Sequence, residues 1–178
     1  FGLVAMFLLL VITLGLTSMR QIQGRMDETT KVNNVETSLA QTMDLTVTER
    51  ALALRNLILL KDEKEVQIEV ARIAEQEKKY TAAQQKLGAM FARREGTSSE
   101  EKSLLEQIRL QSELAAPFIQ RAAALALDQK QDDAYKLLRY EFRPVQKRWW
   151  ELLRTLIAVE EKQNNEASSV AEAAYSQA

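Results

Sequence analysis

Apolar residues return at alternating steps of three and four along most of the chain, the spacing of a helix that buries one face. Over residues 21–60 the seam reads Leu39, Met43, Thr46, Arg50, Ala53, Leu57, Leu60. A second stripe, Leu54 and Ile58, marks another apolar face and predicts a partner subunit packed on it. Residues 65–94 carry Val66, Val70, Ile73, Tyr80, Leu87 and Phe91. Residues 99–127 carry Leu105, Ile108, Ala115, Phe118, Ala122 and Leu125, with Pro117 inside the pattern predicting a kink or one lost backbone bond. Residues 132–178 open on the clearest heptad: Tyr135, Leu138, Phe142, Val145, Trp149, Leu152, Leu156, Val159, interrupted only by Pro144.

The breaks between these runs are short. Lys61-Asp62-Glu63-Lys64 is polar, and Asp128 to Asp132 is a polar turn. Gly96 is placed to end the second helix, and Ser98 with Glu101 three residues on has the form of a capping box for the third. Short connections force antiparallel neighbours. The expected fold is therefore all-α: an up-down-up-down four-helix bundle with long first and fourth helices over residues 20–178, both chain ends lying at one end. Residues 1–19 contain no charge and match the roughly 20 residues that cross a bilayer as a helix. A signal peptide is the other reading of such a run, but no A-x-A-like cleavage site follows it. The first bundle helix is thus expected to continue from a transmembrane helix, and Arg50 to stand about 45 Å beyond Arg20 by helical rise.

Composition narrows the chemistry. The 24 Lys and Arg against 25 Asp and Glu leave a net charge of −1, so no basic field points to nucleic acid. Cysteine and histidine are both absent, which removes thiolate chemistry, the commonest general base and the commonest metal ligand. No Gly-rich loop and no G-x-S-x-G occurs. A di-iron bundle site needs Glu-x-x-His, which this chain cannot supply. No enzyme, cofactor or metal centre is expected.

A membrane helix, a long helix, two shorter ones and a long return helix resemble the periplasmic sensor domain of bacterial methyl-accepting chemotaxis receptors, and the likeness covers essentially the whole chain. Two local matches bring it near the aspartate receptors of that family. Arg50 and Arg55 match a pair of ligand-binding arginines five residues apart on the first helix, and Tyr140 with Pro144 match a Tyr four residues before a Pro on the fourth. Departures fall at the same places. Leu54 replaces a Ser, Leu59 a third arginine, Arg143 a Gln and Val145 a Thr. The resemblance implies a homodimer through the first helix in the bacterial inner membrane. Its ligand would bridge Arg55 of one subunit and Arg50, Tyr140 and Arg143 of the other, and a small slide of the fourth helix would carry the signal.

Arg50 interrupts an apolar seam, and a buried guanidinium is costly unless paired. Its partner is either an internal carboxylate (Glu49, Glu77 or Glu141) or a bound anion. Arginine grips carboxylates bidentately, and Arg143 adds a charge where the aspartate receptors have none. The expected ligand is a small di- or tricarboxylate such as malate, succinate or citrate rather than an amino acid. Tyr140, Asn56 and Gln146 could hydrogen-bond its oxygens. Thr46, a seam threonine like Thr42, reads mainly as a small polar packing position and completes the candidate contacts. Trp149 lies in the seam and reads as core, Lys147 with Arg148 as a solvated face. The same bundle on a histidine kinase or cyclase, or a purely structural bundle without a small ligand, is the alternative.

Overall fold

The computed structural model describes the backbone of residues 2–94 and 96–176, and side chains at Gly24, residues 31–94, 96–169 and Ala173. Helix α1 spans Gly2–Leu59, α2 Glu63–Arg93 and α3 Ser99–Leu127. The fourth helix is composite: α4 is Gln131–Lys136, a π-helical stretch covers Leu137–Phe142, and α5 is Arg143–Ser176. No strand occurs among the described residues. The expected membrane span at residues 1–19 falls outside the described side chains. Among the described residues no helix is long and apolar enough to cross a membrane.

Two units are distinguished, Phe1–Val35 with Glu160–Ala178, and Glu36–Val159. In the first, Asn164 donates from Nδ2 to Asn34 Oδ1 at 2.6 Å. The second holds the antiparallel four-helix bundle. Its core takes Met43, Val47, Leu54 and Leu57 from α1 and Val66, Ile73, Leu87 and Phe91 from α2. Ile108, Ala115 and Ile119 come from α3, and Phe142, Trp149, Leu153 and Leu156 from the fourth helix. These positions follow the predicted seams, so burial of one stripe per helix supplies most of the drive to fold.

The α1–α2 turn is fixed by Asp62, whose carboxylate accepts from the backbone N–H groups of Lys64 and Glu65. The capping box at Ser98 and Glu101 is complete, each side chain accepting from the other's backbone N–H. Gly96 does not take the left-handed cap expected of it. Helix α2 instead leads into Arg94 with extended backbone (φ −86°, ψ 119°). The left-handed residue is Gln129 (φ 60°), after α3. There Lys130 N–H bonds Leu125 O and Gln129 N–H bonds Ala126 O, the paired bonds of a Schellman motif.

Two features of α1 depart from the sequence reading. Leu54, expected on a second exposed stripe, is core, and Ile58 is half-buried. The apolar face left open is Leu45, Leu52 and Leu59, seven residues apart and 59%, 40% and 76% exposed. Near the other end of the bundle, the fully buried carboxylate of Glu36 pairs with Arg94. Burial pushes the Glu36 carboxyl above its ordinary range, Arg94 opposes that shift, and the neighbouring charge of Glu101 adds to it.

The π-helical stretch ends where Pro144 begins its work. Proline has no N–H to give, and its ring crowds the carbonyl four residues back. The turn before it widens, and Arg143 N–H bonds Leu138 O, five residues back rather than four. Pro117, by contrast, is absorbed within a continuous α3.

Candidate functional site

The seven residues singled out in the sequence are distributed over several surroundings. Arg50 points into the core and is 5% exposed. Its guanidinium carbon lies 5.0 Å from the ring centre of Tyr80 and 4.7 Å from that of Trp149. The two rings meet edge to face at 5.2 Å, and Trp149 Nε1 donates to Tyr80 Oη at 3.1 Å. Arg50 Nε and Nη2 have no acceptor among the described residues. Of the internal carboxylates, Glu49 pairs with Arg72, Glu141 is exposed, and Glu77 acts on Arg50 only through its field. Burial therefore lowers the Arg50 pKa, with Tyr80 and Glu77 countering. Two aromatic faces stand where an internal ion pair would have been; a desolvated cation–π contact is worth about 2 kcal/mol.

Arg55 is elsewhere. Five helical residues turn about 140° beyond a full circle, so Arg50 and Arg55 face different sides of α1. Arg55 lines an open groove of about 690 Å³ between α1 and the fourth helix. Arg143 and Gln146 line the same groove, and so do Arg139 and Lys147. Its floor is apolar, built from Ala51, Leu54, Ile58, Leu138, Phe142 and Trp150. No carboxylate lines it. Arg55, Arg139 and Arg143 are exposed, and none has an ion-pair partner among the described residues. Lys147 is loosely held by Glu151 at 3.7 Å.

The remaining candidates do not reach this groove. Tyr140 is 70% exposed and lines a separate hollow with Lys136 and Glu141. Asn56 turns to α2 and donates to Glu69 Oε1 at 2.9 Å. Thr46 is buried and donates to Met43 O at 2.8 Å, as a packing threonine does. The structure thus gathers Arg55, Arg143 and Gln146 and leaves Arg50, Tyr140, Asn56 and Thr46 outside the cluster. Arg139, Lys147 and Trp150 join it, although Lys147 was read as part of a solvated face and the others were not named as contacts. Their signal was the four-residue step from Tyr135 through Arg139 to Arg143, continued by Gln146 and Trp150.

A second groove, about 580 Å³ between α2 and α3, is also lined by cations. There Arg109 is tied to both Glu106 and Glu113. Its charge is already answered, whereas the arginines of the α1 groove are open to an incoming anion.

The all-helical bundle thus carries a groove edged by cations and floored by apolar side chains. The chain matches, over residues 1–175, the family described as a four helix bundle sensory module for signal transduction. It belongs to that family, the sensory module of chemotaxis receptors. No curated protein and no solved structure matches it.

The aromatic cage makes a pH prediction. Burial raises the Tyr80 hydroxyl from its ordinary value of 10.0 to about 12. The folded chain then keeps a proton that the unfolded chain releases from about pH 10. Stability from this group is complete below pH 10 and is lost as pH rises to about 12, by roughly 2–3 kcal/mol. Urea titrations between pH 9 and 12 should show that decline, and Tyr80→Phe should flatten it; an unchanged slope in the variant would place the decline elsewhere.

Proposed function

We infer that the domain is the extracytoplasmic sensor of a transmembrane receptor, and that it detects a small organic-acid anion in the groove between α1 and the fourth helix. The observation that carries this reading is the set Arg55, Arg139 and Arg143, unpaired around one groove that no carboxylate lines. Three guanidiniums suit a ligand with two or more acidic groups, since each can grip a carboxylate through paired N–H bonds. Gln146 offers an amide to a hydroxyl or a further oxygen.

The groove joins two elements, and binding to both favours whichever arrangement brings them to the best distance. A ligand shifts an equilibrium only through such differential affinity. Displacement of the fourth helix, which runs on from the groove as α5, is the signal this geometry supports.

The open stripe Leu45, Leu52, Leu59 supports a homodimer through α1. Its heptad spacing is that of a coiled-coil seam. Exposed leucines in such a row are covered in most stable assemblies.

Two experiments test these readings. A thermal-shift screen of the purified chain should find stabilisation by di- and tricarboxylates, about 2.7 kcal/mol at a hundredfold excess over Kd. Arg55→Ala with Arg143→Ala should abolish the shift, and stabilisation by amines or neutral compounds alone would overturn the anion reading. In sedimentation experiments the chain should dimerise, and Leu52→Asp should drive it to monomer. A dimer indifferent to that change would remove α1 from the interface.

A further inference from the structure

We propose that the anion sensed by this groove has a flat, apolar body: an aromatic acid with acidic groups at its edge, not an aliphatic acid of the same charge. The inference rests on the anion reading and narrows it. Charge alone does not separate malate from a benzenedicarboxylate. The floor does.

A site built for a small hydroxylated di-acid would meet its carbons with polar groups, because almost every ligand atom carries hydrogen-bonding capacity. Here the cations form a rim, and beneath them lie Leu54, Ile58, Leu138 and the indole of Trp150. Laid on that floor, an aliphatic hydroxy acid brings little apolar surface to bury, and its hydroxyl can bond only through Gln146, Thr48 or Tyr135. An aromatic ring loses nothing by the same move and gains from removing apolar surface from water. The rim agrees with the floor. Arginine, unlike lysine, both bonds carboxylates in plane and stacks on aromatic faces. Arg139 and Arg143 follow each other at one turn of the fourth helix, across the groove from Arg55.

Trp150 is half-buried and lines the groove, so its indole offers a partner for an aromatic ring. The groove volume, about 690 Å³, lies within the range of ligand pockets and exceeds what a four-carbon acid fills.

The test compares ligands matched in charge. The full chain is titrated calorimetrically with isophthalate and terephthalate, and with succinate and malate at the same pH and salt. The expected result is at least tenfold tighter binding of an aromatic di-acid, about 1.4 kcal/mol. Ile58→Asn should erase most of that preference, and Arg143→Gln should weaken both classes. Aliphatic acids that bind as tightly as aromatic ones, or more tightly, overturn the aromatic-body proposal and leave the anion reading standing. Silence from all four acids and from citrate overturns both. Since the wild-type chain alone supplies the charge-matched comparison, the outcome does not depend on either variant folding.

Discussion

Pro144 withholds one backbone hydrogen from the fourth helix, and the groove is arranged around the consequence. An uninterrupted α-helix would carry a donor at that position to the carbonyl four residues earlier. Proline cannot, and its ring pushes that carbonyl away. The helix answers by opening one turn into π geometry over Leu137–Phe142. Such turns are uncommon and concentrate at functional sites. Here the widened turn carries Leu138, Arg139 and Phe142 into the same groove as Arg143 just beyond it. One missing proton thereby sets where two arginines and part of the apolar floor meet α1.

Arg50 lies against aromatic rings rather than a carboxylate. A lone guanidinium in a bundle core invites two explanations, an ion pair or a ligand. The structure offers a third, the faces of Tyr80 and Trp149, drawn from α2 and the fourth helix. The cation thus sits where three helices come together, with two N–H groups still lacking acceptors. Replacing buried ions by apolar side chains of similar size is often neutral or stabilising. Trp149 anchors the fourth helix to α1 and α2, while its neighbour Trp150 faces the groove.

Much of the fold was legible because one-sided burial writes itself into spacing. Met43, Leu57, Ile73, Leu87, Ile108 and Leu156 are core as their periodicity required. Ser98 and Glu101 form the capping box their spacing announced. What stayed hidden depends on angles that only the assembled bundle defines. Arg50 and Arg55 look like a pair in sequence yet face different sides of α1. Tyr140 directly follows Arg139 and still faces solvent, since neighbouring positions on a helix diverge by about 100°. Lys147 read as part of a solvated face, yet it lines the groove opposite α1 together with Arg139. Gly96 looked like the helix stop, but capping by extended backbone at Arg94 made a left-handed residue unnecessary there. The exposed row of Leu45, Leu52 and Leu59 emerged only once Leu54 was seen to be core.

The central claim is that an organic acid binds the α1 groove and not the core around Arg50. The two tryptophans report on those two places. Titration of the chain with terephthalate, followed by intrinsic fluorescence, separates them. Trp150 lines the groove, so wild type and Trp149→Phe should show a saturable emission change that Trp150→Phe lacks. A change that survives in Trp150→Phe and vanishes in Trp149→Phe would put the ligand against Arg50 and contradict this account.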